Sequence, residues 1–537
     1  MKKSDIDTPR KIRFLSPSMT DEKRHFDLSF LEPFRRYVPL AAWTIVILLL
    51  LVIPLKVISY GYLPADDALR HAAKAVTNKS WQEILVLGPA FHFDPNWGWH
   101  WLLGKIHLWA NWDAEALVIF TVVMLFLAGN SAIVACFKRP EAWLAAFIIM
   151  TQMQVSDLTQ RFLLGRPFVL SITAIAVILL VWQRHGGAPP KWRTMFWMTP
   201  LIALAVFLHG VWYLWALPVA AFFLAQQFRW CLLLGASWIL GTFLGSALTG
   251  HPIESILQAI QLALNSLGMH KTQNTLVGEL RPSGGEIFTI LLLGGLIVLR
   301  QLAKLNAPPL VRHPAFWLTV IGWILGCETF RFWEDWGLPA LAVLVAGDLQ
   351  LFFESRFAAD SFQRLALVCG LVLTMYAATT NDFNSRWSNH LAWRYLEPDP
   401  KDPGFNAWLP AKGGILYSTD MTIFYQTFFK NPNADWRYAL GFESTLMTDD
   451  NFKVYHNVLW NFGDAKAYKP WVDKMRPEDR LVIRGGSAER PNIPQLEWNH
   501  DVGNIWIGRL PRIPQGETQP SAQAIPEGST NSVNSAK

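Results

Sequence analysis

Residues 38–71 read VPLAAWTIVILLLLVIPLKVISYGYLPADDALRH, and this stretch decides the fold. Up to Ile58 it is apolar except for Lys56. That is enough for one helical crossing of a bilayer, which takes about 20 residues. The chain then turns polar at once, through Gly61 and Pro64 to the adjacent carboxylates Asp66 and Asp67, followed by Arg70 and His71. A Trp-rich run, HFDPNWGWHW, occupies residues 92–101. Two carboxylates at a bilayer exit beside an aromatic belt suit a reaction carried out at a membrane surface.

The rest of the chain extends that reading. Of its 537 residues, 52% are hydrophobic and 16% charged, where a soluble domain carries about a quarter charged. Apolar blocks recur between short polar pieces, and only helices satisfy their own backbone hydrogen bonds in lipid. The 27 tryptophans gather at block ends, where interfacial belts form. The net charge of +6 does not point to nucleic acid, because the basic residues lie mainly in short loops on one side of the spans. Cys136, Cys231, Cys327 and Cys369 fall in or at the ends of apolar blocks, with neither disulfide nor metal-ligand spacing.

In order, residues 1–36 form a basic cytoplasmic tail, too long for the n-region of a cleavable signal peptide, so the first span is predicted to be a signal anchor. Residues 37–380 form a transmembrane domain of about eleven helices, with external loops at 59–112 and 249–286. The apolar run around His209 and Gly210 reads as a tight pair of helices, a single long helix being the alternative. The linker 381–404 leads to an extracytoplasmic α/β domain at 405–511, with strands near 415–417, 481–483 and 505–507, and then a disordered tail at 512–537. The fold class is therefore a polytopic α-helical membrane protein with a small α/β C-terminal domain.

Asp66 and Asp67 are the first candidates for chemistry. Carboxylates serve as general bases and as oxygen ligands of hard cations. The structural alternative is a helix opened by Pro64, with Asp66 paired to Arg70 and Asp67 to His71 at i,i+4. Asp157, Arg161 and Arg166 join two spans on the external side, where arginines run against the positive-inside bias. Arg331 lies in a second such turn, CETFRFWEDW at 327–336, with Glu328 its expected partner. Lys271 and Arg281 add external positive charge. Guanidinium groups in such places grip phosphate in a two-pronged way. The external histidines His92, His100, His107, His209 and His251 lack metal-ligand spacing and read as structural. A helix after Pro95, capped by Asp94, puts Trp97, Trp101 and Leu108 on one interfacial face.

This layout resembles the GT-C-type glycosyltransferases, integral membrane enzymes that use polyprenyl-phosphate-linked sugars. The resemblance rests on the span count, the acidic Pro64-Ala65-Asp66-Asp67 exit after the first span, Asp157 near the next external turn, and the external C-terminal domain. It implies that Asp66 or Asp67 is catalytic, as base or metal ligand. It implies that Arg161, Arg166, Lys271, Arg281 and Arg331, with Asp157, bind the donor phosphate and substrate. A divalent cation, Mg or Mn, would be held by Asp66 and Asp157. The implied partners are the lipid bilayer and a polyprenyl-linked sugar donor, on the periplasmic side of a bacterial inner membrane. A transporter, or a non-catalytic component of polysaccharide or lipid export, is the other class the layout allows. Few ionisable residues within the central spans and the lack of a clear inverted repeat weigh against it.

Overall fold

A computed structural model describes residues 29–89, 91–153, 158–267, 282, 287–388, 396–397, 401–484, 489–501 and 505–511. The described chain is mostly helical, with a small sheet near its C-terminal end. Among the described residues, five helices are long and apolar enough to cross a membrane: Glu32–Ile58, Ala114–Val134, Phe228–Ala247, Phe330–Arg356 and Phe362–Thr380. The other apolar helices of the described chain have 10–17 residues. Pro314–Gly326 has 13 residues, which at 1.5 Å per residue reaches about 20 Å, short of the ~30 Å hydrocarbon core.

The apolar run at 195–226 folds as two helical pieces. Arg193–His209 ends at Gly210, whose φ of 71° stops the helix, and a 3-10 turn at Trp212–Trp215 leads into Ala216–Leu224. Inside the bundle, charges are paired. Glu141, with none of its surface exposed, accepts Arg364 Nε at 2.7 Å and Nη2 at 3.1 Å. Asp348 accepts Arg300 Nε at 2.7 Å and Nη2 at 2.9 Å. Paired in this two-pronged way, the ions make up part of what burial costs each of them.

The C-terminal sheet has the order β2-β1-β3-β5-β4. Its strands are β1 (Ile415–Tyr417), β2 (Arg437–Tyr438), β3 (Arg480–Arg484), β4 (Glu497–Asp501) and β5 (Ile505–Arg509). β1 runs parallel to β2 and β3, and β5 is antiparallel to β3 and β4. The loop after the first apolar helix is built into this domain. Val86 N–H donates to Tyr438 O at 2.9 Å, and Gly88 N–H to Leu446 O at 2.7 Å. Trp81, Ile84, Leu85 and Phe91 of the loop share one hydrophobic core with Leu416, Phe424, Phe428 and Phe442. Loop and domain thus form one apolar unit over the end of the helical bundle.

The helix Trp97–Ala110 has two faces. Trp99 and Leu103 are buried, while Leu108 and Trp109 are 75% and 86% exposed. The outer face suits a membrane interface, where an indole ring is favoured.

Candidate functional site

The short helix Asp67–Val76 organises the site. Ala68, Ala72, Ala73 and Ala75 are strong helix formers. Asp66 caps the helix, its Oδ1 accepting the Ala68 N–H at 3.2 Å. The expected i,i+4 pairs do not form. A capping residue lies outside the helical turn, so Asp66 folds back on the backbone and its Oδ2 meets Arg166 Nη2 at 2.8 Å. Asp67 instead accepts Arg70 Nε at 2.6 Å, one residue closer, and its Oδ2 stands 3.7 Å from Arg166 Nη1. His71 turns away, to His100.

The two carboxylates are pushed apart. Burial raises the Asp66 carboxyl above the usual carboxylate range, and Arg166 only partly offsets this. Burial acts on Asp67 in the same sense, but the charges of Arg70 and Arg166 outweigh it and hold Asp67 well below that range.

Asp67, Arg70, His71 and Arg166 line a cavity of about 200 Å³. His209, Tyr213 and Arg331 line it from the bundle, Ala259 and Leu262 from the helix Pro252–Leu267, and Phe442 and Glu443 from the C-terminal domain. The cavity therefore lies where bundle, first loop and C-terminal domain meet. Arg70 stacks 4.0 Å over the Phe442 ring, and its Nη1 is buried without a hydrogen-bond partner. Arg331 Nε donates to Asp335 Oδ2 at 3.1 Å, and its Nη2 lies 3.5 Å from His209 Nε2.

Two glycines permit this packing. A Cβ on Gly210, which has positive φ, would fall 2.2 Å from Pro95 O, and one on Gly98 would fall 2.2 Å from Phe207 O. The Trp97–Ala110 helix and the end of Arg193–His209 thus meet backbone to backbone.

Arg161 does not line the cavity. It is 5% exposed, with Nη2 2.5 Å from Asp335 Oδ1, Nη1 3.2 Å from Glu334 Oε2 and its guanidinium 4.2 Å over Phe168. Through Asp335 it steadies Arg331 instead. Asp157, Lys271 and Arg281 lie outside the described residues. Of the two residues expected to hold a cation, Asp66 has one oxygen at a backbone N–H and the other at a guanidinium, and Asp157 lies outside the described residues. Among the described residues no three His, Cys, Asp or Glu side chains are placed to hold a metal ion.

A second polar system reaches the cavity and was not legible in the sequence. Asp94 does not cap the Trp97–Ala110 helix from the Ncap position, which Asn96 takes. Its Oδ1 accepts the Asn96 N–H at 3.0 Å, and its Oδ2 lies 2.5 Å from His100 Nδ1. His100 Nε2 lies 2.8 Å from His71 Nδ1. An Asp and a His six residues apart at a helix start, with a further His on an alanine-rich helix, were the available signal.

No family model matches the chain, and no curated protein matches it by sequence. Among solved structures it is similar to the Archaeoglobus fulgidus oligosaccharyltransferase tethered with an acceptor peptide containing the NVT sequon. The TM-score is 0.43 at 11% identity, covering 84% of this chain and 69% of that one. A likeness this distant carries no argument about the site.

Proposed function

We propose that this protein is a membrane glycosyltransferase. It moves a sugar from a polyprenyl-phosphate-linked donor to a lipid, glycan or protein acceptor on the periplasmic face of a bacterial inner membrane. One observation carries the reading: Asp67 and the guanidinium groups of Arg70, Arg166 and Arg331 line the same cavity, at the end of the bundle that carries the C-terminal domain.

The arginines suit an anion that is also a leaving group. A guanidinium donates in a fork that matches phosphate oxygens, and the buried Arg70 Nη1 has a donor to spare. Cations placed where negative charge develops on the departing lipid phosphate lower the barrier, each fixed donor by about 3–4 kcal/mol. Phe168, Leu214, Ala259 and Leu262 give the cavity an apolar side suited to the first prenyl units. Asp67, held ionised by its arginines, accepts a hydrogen bond from the acceptor hydroxyl and aims its oxygen at the anomeric carbon. Asp66 fixes Arg166 and the start of the helix.

The test uses the full chain in liposomes with polyprenyl-phosphate-linked sugars and hydroxyl acceptors. Transfer of sugar with release of polyprenyl phosphate is the expected result. Movement of the donor across the vesicle with the sugar still attached would replace this reading with a transporter.

A further inference from the structure

The polar chain Asp94–His100–His71 runs from the first loop to the cavity, and its hydrogen bonds fix its tautomers. A carboxylate only accepts, so His100 Nδ1 carries the proton toward Asp94 Oδ2, at 2.5 Å. In a neutral ring, His100 Nε2 is then an acceptor, and His71 Nδ1 must be the donor across 2.8 Å. His71 Nε2 is left as a lone-pair nitrogen on a residue that lines the cavity with Asp67. We infer that His71 is the proton acceptor of the proposed transfer, oriented by His100 and Asp94, while Asp67 only positions the nucleophile.

The inference rests on the transferase reading and names the group that removes the proton. In the step, the acceptor hydroxyl passes its proton to His71 Nε2 as its oxygen bonds to the anomeric carbon. The bond from that carbon to the phosphate oxygen breaks, and its electron pair leaves on the lipid phosphate. The imidazolium formed is linked through His100 to the Asp94 carboxylate, so the proton turns a buried net negative chain into a neutral one. Both of the Asp67 oxygens are instead engaged by cations, Oδ1 by Arg70 Nε at 2.6 Å and Oδ2 by Arg166 Nη1 at 3.7 Å.

Arg70 faces His71 from its own helix, His100 from Trp97–Ala110, Arg166 from the turn before Phe168–Arg184, and His209 from the end of Arg193–His209. Tyr425 of the packed helix Met421–Lys430 acts on Asp67 and Arg70, and Glu115 of Ala114–Val134 stands 4.0 Å from Lys430. Burial, with the neighbouring cations, holds His71 well below its ordinary value, so at neutral pH the ring is in its proton-accepting form. A bound donor phosphate would offset Arg70 and Arg166 and raise the proton affinity of His71 when it is needed.

The experiment compares wild type, His71→Gln and Asp94→Asn in the liposome assay across pH. In wild type, kcat falls on the acid side as His71 becomes protonated. His71→Gln is expected to lower kcat about 10²–10⁴-fold with donor KM unchanged, and to abolish that acid limb. Asp94→Asn lets an amide N–H face His100 Nδ1, which reverses both tautomers. It is expected to lower kcat with donor KM unchanged and to shift the acid limb. Should His71→Gln fail to fold, Asp94→Asn decides alone, being at the far end of the chain from the cavity. Wild-type kcat and pH profile in these variants would overturn the relay and leave the transferase reading standing. Absence of transfer by wild type itself would overturn both.

Discussion

Arg166 Nη2 lies 2.8 Å from Asp66 Oδ2, so a residue before the helix Phe168–Arg184 is clamped by the cap of a helix in the first loop. The clamp aims the same guanidinium at the cavity, with Nη1 3.7 Å from Asp67. Asp66→Asn keeps a good helix cap and removes only the negative charge that faces Arg166. Donor KM should rise about tenfold to a hundredfold with kcat nearly unchanged, the loss of one charge-assisted hydrogen bond of about 1.5–3 kcal/mol. Steady-state kinetics against donor concentration check this.

Gly210 is required by its positive φ and by its contact with Pro95 O. Gly210→Ala should destabilise the protein by about 1–3 kcal/mol. It should also lower transfer, because His209 and Val211 line the cavity on either side of the turn. Thermal unfolding in detergent and the transfer assay, run together, test both halves.

Glu141 and Arg364 predict a purely structural effect. Glu141→Ala leaves Arg364 buried without its carboxylate, a change that costs about 3–5 kcal/mol. Replacing both residues by leucine should cost clearly less than the single change. Chemical denaturation of the two variants separates the outcomes.

Acid stability follows from the buried relay. His71 and His100 are both held below the ordinary histidine value of 6.5, burial being the main cause. Below about pH 6.5 the unfolded chain therefore takes up protons that the folded chain resists, and stability falls as pH falls. Asp94 is held down at about 2 from 3.8, because His100 and other hydrogen bonds outweigh its burial. Its contribution is present above about pH 4 and is lost between about pH 4 and 2. His71→Gln should flatten the loss that begins near pH 6.5 and leave the Asp94 loss in place, as melting temperature against pH will read.

The sequence marked the site where charge broke a membrane rule. Asp66 and Asp67 stood at the exit of an apolar run, and Arg166 and Arg331 stood in turns read as external; Asp67 and both arginines line the cavity. Arg161 carried the same signal yet is spent on Glu334 and Asp335, because sign and location do not reveal partners on another helix. The histidine relay was hidden for the same reason, since His71 and His100 meet only through tertiary packing. Strands β1, β3 and β5 were legible as short apolar runs. That the first loop would join their core through Trp81 and Leu85 was not, since alternating burial shows a face but not what covers it.

The most direct measurement is single-turnover sugar transfer from a saturating polyprenyl-phosphate-linked donor by Asp67→Asn beside wild type. Asp67 is the carboxylate that lines the cavity with the arginines. The account predicts a fall in rate of about 10²–10³-fold with donor binding retained. A variant that transfers sugar at the wild-type rate would contradict it.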